Sequence, residues 1–166
     1  MDKLWAPWRK GYITLKKPKG CIFCEKPKFK DDKSYIITRS KFSFSMLNIF
    51  PYNNGHLMVA PFKHTKDLNK LNDEELLDLL KLLRKSCDLL DKALKPEGYN
   101  IGINVGEISG AGYAGHLHIH IVPRWKSDTN FMPVITDTKV IPESLDSVYR
   151  KLKYINMKKY KNMMRR

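Results

Sequence analysis

The run Gly115-His116-Leu117-His118-Ile119-His120-Ile121-Val122 alternates imidazole with aliphatic side chains, and strict alternation over this length is the signature of a half-buried strand. Successive side chains of a strand point to opposite faces. The spacing therefore sets His116, His118 and His120 on one face, about 6.6 Å apart along the backbone, and Leu117, Ile119 and Ile121 toward a core. All five histidines of the chain fall in two short segments, His56 with His64 and this triplet. Such clustering points to chemistry rather than to packing.

Working outward, the loop Gly106-Glu107-Ile108-Ser109-Gly110-Ala111-Gly112-Tyr113-Ala114-Gly115 is rich enough in glycine to bring backbone N–H groups close to phosphate oxygens. Imidazole is partly neutral near pH 7, attacks phosphorus well and leaves again readily, so it can split one displacement into two through a phosphoramidate. Further upstream, Tyr35-Ile36-Ile37-Thr38 and Phe42 to Leu47 read as a strand hairpin joined at Arg39-Ser40-Lys41. Pro51-Tyr52-Asn53-Asn54-Gly55 supplies a turn before a third strand, His56 to Ala60, ended by Pro61. Asn72 as N-cap, Glu75 three residues on, and Leu76, Leu79, Leu80 and Leu83 at helical spacing predict a helix up to Leu94, stopped by Pro96 and Gly98. Ile101 to Val105 and His116 to Val122 read as the fourth and fifth strands, and Pro142 to Met157 as a final helix. The fold class is α+β: a mostly antiparallel five-stranded sheet with one main helix and a C-terminal helix.

A length of 166 residues and a hydrophobic fraction of 42% fit one domain with short tails. No apolar run approaches the roughly 20 residues that span a bilayer, and Met1 to Arg9 carries charges and a proline where a signal peptide needs an apolar stretch. Cytoplasmic residence is the expectation. Cys21 and Cys24 form a CxxC pair suited to metal or redox use, whereas Cys87, in a leucine-rich stretch, reads as a small buried apolar residue. The formal charge of +14 is mostly lysine spread along the chain. The basic tail Arg150, Lys151, Lys153, Lys158, Lys159, Lys161, Arg165 and Arg166, interleaved with Tyr149, Tyr154 and Tyr160, could track a nucleic-acid backbone. We read it as a solvated terminus, because the lysine bias is global and no nucleic-acid motif accompanies it.

The run from Asn104-Val105-Gly106 through Gly110-Ala111-Gly112 to the histidine triplet and Pro123-Arg124-Trp125 resembles the histidine triad (HIT) family, and within it the bacterial diadenosine tetraphosphate phosphorylase-like branch. Leu4-Trp5-Ala6-Pro7-Trp8-Arg9, Cys21-Ile22-Phe23-Cys24, Asn54 to His64 and Thr129-Asn130-Phe131-Met132-Pro133 are similar to that branch as well, so the likeness runs from about Met1 to Pro133. It implies a HIT-like domain over residues 1–140, including the N-terminal extension and the CxxC, followed by a basic helix or tail over 141–166.

By that resemblance, His118 attacks the α-phosphorus with its other ring nitrogen held by a carbonyl near His116, and His120 hydrogen-bonds the phosphate or the bridging oxygen. Asn104 with Gly110, Ala111 and Gly112 holds the α-phosphate, and His56 completes the polar network behind the triad. Asn48 meets the ribose hydroxyls, with Leu47 and Ile49 as walls of the base pocket. The resemblance also implies a structural zinc on Cys21, Cys24, His64 and His116, no organic cofactor, and a homodimer joined edge to edge. Tyr113 departs from the hydrolase branch, where a small polar residue often stands three positions before the triad. This tilts the reading toward phosphorolysis of a dinucleoside polyphosphate by a nucleotidyltransferase that takes inorganic phosphate as acceptor. A hydrolase of nucleoside phosphoramidates or adenylates is the alternative within the same chemistry. A zinc-stabilised nucleic-acid-binding protein is the alternative from another class.

Overall fold

The computed structural model describes residues 20–109, 112–129 and 139–163. The segment Leu4 to Arg9, Gly110, Ala111, Asn130 to Pro133, Arg165 and Arg166 lie outside the described residues. The sheet holds β1 (Ile36–Arg39), β2 (Ser43–Leu47), β3 (Leu57–Pro61), β4 (Gly98–Ile103) and β5 (Ile119–Arg124) in the order β1-β2-β3-β5-β4. Every neighbouring pair is antiparallel. Two short helical turns, α1 (Ile22–Glu25) and α2 (Asp31–Ser34), precede it; α3 (Asp73–Leu94) and α4 (Leu145–Met163) are the long helices.

The helix α3 starts where its local signals put it. Asn72 accepts from the Glu75 amide and Glu75 accepts from the Asn72 amide, both at 2.9 Å, a complete capping box. Lys95, in the left-handed conformation with φ 49°, ends it just before Pro96. Its apolar stripe, with Leu79, Leu82, Leu89 and Leu90, packs on one face of the sheet against Leu47, Leu57, Val59, Leu117, Ile119 and Ile121. The helix α4 joins this core through Val148 and Leu152, and Asn156 donates to the Ile37 carbonyl at 3.1 Å. The solvated-terminus reading thus holds only for the outer face of α4, where Lys151, Tyr154 and Lys158 are exposed. The opposite face of the sheet carries a second apolar cluster, Phe23, Ile36, Phe44, Met46, Met58 and Ala60.

Strand boundaries differ from the sequence reading in ways that pairing explains. Tyr35, expected to open a strand, instead caps α2 in the left-handed region with φ 54°, so β1 begins at Ile36. The ladders of β3 and β4 with β5 both begin at Ile119, opposite Val59 and Ile103. His116 to His118 therefore precede the strand; there the Leu117 amide donates to the Thr65 carbonyl at 2.6 Å instead. The alternation persists, with Leu117, Ile119 and Ile121 in the core. Among the described residues, no helix is long and apolar enough to cross a membrane.

Candidate active site

Four histidines meet on the sheet face away from α3, and the backbone groups they touch decide which ring nitrogen carries the proton. His118 Nδ1 lies 2.8 Å from the carbonyl of His116. A carbonyl only accepts, so Nδ1 bears the hydrogen and the lone pair is left on Nε2. His56 is anchored with the opposite polarity. The Tyr52 amide donates to His56 Nδ1 at 3.1 Å, which places the hydrogen of a neutral ring on Nε2, 2.9 Å from His120 Nδ1. His120 must accept there and carry its own hydrogen on Nε2. That atom is buried and finds no hydrogen-bond partner among the described residues. The chain Tyr52–His56–His120 thus ends in a donor, while His118, with its ring 4.7 Å from that of His120 at 73°, offers an acceptor.

Burial keeps these rings neutral. Desolvation, then the neighbouring His120 and His118, pushes His56 down to about 3; desolvation, then His118, pushes His120 down to about 4. His118 is lowered by desolvation as well, against the opposing pull of the His116 carbonyl. The site is therefore a pair of uncharged imidazoles of opposite tautomer, suited to attack on phosphorus and to hydrogen-bonding of the oxygen that leaves.

The first triad histidine faces the other way. His116 Nε2 donates to the Pro61 carbonyl at 2.9 Å, which leaves the Nδ1 lone pair 3.2 Å from Cys21 Sγ and 3.7 Å from Cys24 Sγ. His64 Nδ1 lies 3.3 Å from Cys24 Sγ. The ligand atoms of Cys21, Cys24, His64 and His116 all fall within 4.8 Å of one another. Tetrahedral bonds of roughly 2.0 to 2.3 Å set ligand atoms about 3.3 to 3.8 Å apart, so this cluster can hold a metal ion after small inward shifts.

Asn48 lies beside the relay: its Oδ1 accepts from the Phe50 amide at 2.9 Å, and its Nδ2 is 3.4 Å from His56 Nδ1. Asn104 directly follows Ile103, the last residue of β4, which pairs with Ile119. Gly112 is exposed, with nothing within 4 Å of where a Cβ would stand. Leu47 is 1% exposed in the α3-side core, and its neighbour Met46 belongs to the cluster on the opposite face. The neighbouring Cys21 raises the pKa of the Tyr113 phenol, whose ring makes a T-shaped contact with Phe23 at 6.2 Å.

The sequence reading missed three contributors. Phe23 stacks on His118, Tyr52 supplies the amide that sets the relay, and its ring lies 4.7 Å from that of His56. Asn53 ties the Tyr52 turn to the end of β5 through the Pro123 carbonyl and Asp128, at 2.9 and 2.8 Å. The CxxC and the turn composition mark these segments, but no local pattern marks the contacts. A cavity of about 290 Å³ lined by Tyr52, Asn53, Asn100, Val122, Arg124 and Lys139 adjoins His120 through Tyr52, yet none of the triad histidines lines it.

Comparison with known proteins agrees with this geometry. The HIT domain family model matches residues 30–127. An AP-4-A phosphorylase of Mycobacterium tuberculosis is 35% identical over 161 residues, covering 92% of this chain and 83% of the relative. An adenosine 5'-monophosphoramidase of Saccharomyces cerevisiae is 32% identical over 105 residues, 63% of each chain. Among solved structures, a Zn-bound histidine triad family protein from Mycobacterium smegmatis superposes with a TM-score of 0.67 at 22% identity, covering 86% of this chain and 97% of that one, a likeness in fold. A family match over more than half of the chain, and a relative of this identity along nearly all of it, establish that the chain belongs to the histidine triad family.

Proposed function

We propose that the chain is a nucleotidyltransferase that cleaves dinucleoside polyphosphates, diadenosine tetraphosphate first among them, by phosphorolysis through a nucleotidyl-His118 intermediate. The observation that carries this reading is the pair of opposite tautomers, a lone pair on His118 and an N–H on His120 Nε2 that has no partner among the described residues. In the first step Nε2 of His118 forms a bond to the α-phosphorus while the bond to the bridging oxygen breaks. That oxygen takes the electron pair and leaves as part of ATP, its charge stabilised by the His120 N–H. In the second step an oxygen of inorganic phosphate attacks the same phosphorus, the N–P electron pair returns to Nε2, and ADP departs. The AP-4-A phosphorylase relative supports this acceptor.

Asn104 and the backbone of Gly110, Ala111 and Gly112 hold the α-phosphate in this reading. Asn48 meets the ribose, and His56 keeps His120 in its donor tautomer. Cys21, Cys24, His64 and His116 would hold zinc, in agreement with a donor set of two sulfurs and two imidazoles and a His116 lone pair already directed at Cys21. With four protein ligands and no open position, zinc there supplies cross-linking rather than Lewis acidity. Residues 1–140 form the catalytic unit, and 141–166 add the helix that completes its core. A homodimer joins through β4, whose outer edge ends the sheet and exposes Ile101 by 49%.

The test is incubation of the pure protein with diadenosine tetraphosphate, with and without inorganic phosphate, beside His118→Ala. Phosphate-dependent ADP and ATP, lost in the variant, are expected. AMP and ATP formed without phosphate would move the assignment to hydrolysis, a reading that the monophosphoramidase relative favours.

A further inference from the structure

We propose that Phe23 is a positioning residue for His118, holding the imidazole in its attacking orientation and stabilising the positive charge the ring acquires when it becomes nucleotidylated. The inference rests on the reading of His118 as nucleophile and adds to it a group outside the triad. The Phe23 ring lies over that of His118 with centroids 4.6 Å apart and planes at 28°, a stacked contact. It also touches the ring of His116 at 5.2 Å. Phe23 is 1% exposed, packed with Met46, Met58 and Phe44, and its backbone belongs to α1 between Cys21 and Cys24. The ring that stacks on His118 is thus carried on the same turn as Cys21 and Cys24.

Two physical consequences follow. The bond from His118 Nδ1 to the His116 carbonyl fixes the tautomer and the in-plane direction of Nε2, but leaves the ring free to tilt about that bond. A stacked face removes the tilt. The second consequence concerns charge. When Nε2 gives its lone pair to phosphorus, Nδ1 keeps its hydrogen and the imidazole becomes a cation. The face of a benzene ring is electron-rich and attracts a cation within about 6 Å more strongly than a neutral ring. The contact therefore strengthens as the N–P bond forms, which is the condition for accelerating the step rather than merely stabilising the fold.

The experiment replaces Phe23 with leucine and, separately, with phenylalanine analogues of increasing ring fluorination, which keep the shape while draining the π face. Potassium phosphoramidate serves as a nucleotide-free probe that phosphorylates His118 directly, read by mass spectrometry. Diadenosine tetraphosphate with phosphate gives kcat and KM. Phe23→Leu should slow phosphohistidine formation and kcat by about tenfold. The fluorinated series should fall stepwise in rate, with unchanged melting temperature and KM. A flat fluorine series, a wild-type rate in Phe23→Leu, or a change confined to KM would overturn the inference. A wild-type protein that phosphoramidate modifies at His118 but that leaves diadenosine tetraphosphate intact would count against the proposed substrate alone. The fluorine series with phosphoramidate would still decide the role of Phe23.

Discussion

His56 and His116 are both buried imidazoles with one ring nitrogen bound to the backbone, yet they end in opposite capacities. His56 receives a hydrogen bond from the Tyr52 amide and therefore presents N–H to His120. His116 gives one to the Pro61 carbonyl and therefore presents a lone pair to Cys21 and Cys24. The backbone dipole at the anchor, rather than the residue type, sorts one histidine into a donor relay and the other into a ligand set. His118, anchored to a carbonyl like His116, also keeps a lone pair, but its ring stands against that of His120.

The relay side of this comparison breaks most sharply at its end. His120→Phe keeps a ring and removes the N–H, and kcat should fall by about 10² to 10³. A nucleotide ester with a better leaving group should narrow the gap, because its departing oxygen needs less help. An equal loss for good and poor leaving groups would contradict the donor role. On the ligand side, Cys24→Ser should release bound metal, measured by elemental analysis, and lower Tm by about 5 to 10 °C. A metal-free wild-type protein with the same Tm would remove the cross-link from the account.

The protons of the relay set a pH dependence. An unfolded histidine takes up its proton near 6.5, whereas folded His56 and His120 do so near about 3 and about 4. Between those values the unfolded state binds more protons, so stability is full above 6.5 and is lost as pH falls through this window. Each histidine contributes up to about 1.4 kcal/mol per pH unit. Tm followed from pH 7 down to 4 should drop steadily, and His56→Phe should flatten the slope; a level Tm would show that these rings protonate without cost in the folded protein.

How far the sequence reached follows the same division between local and long-range causes. The capping box of Asn72 and Glu75 and the leucine spacing of α3 are contacts within one turn of chain, so they were readable in order. The alternation through Ile121 revealed which face the histidines share, but not where pairing begins, because the partners at Val59 and Ile103 set that. All five residues of β2 are buried, so no polar alternation tells which of Leu47 and Met46 faces α3. The Tyr52 amide and the Pro61 carbonyl have no side-chain signature at all, though they fix the tautomers. The smallest expected effect returns to the readable part: Asn72→Ala should cost about 1 kcal/mol in a denaturant titration and leave kcat unchanged.

The most direct test of the account is to quench the protein with diadenosine tetraphosphate in the absence of phosphate, locate the adduct by mass spectrometry, and identify the bonded ring nitrogen by NMR. The account predicts one nucleoside monophosphate on Nε2 of His118, released as ADP when phosphate is added. An adduct on Nδ1 or on another residue, or turnover that persists in His118→Ala, would contradict it.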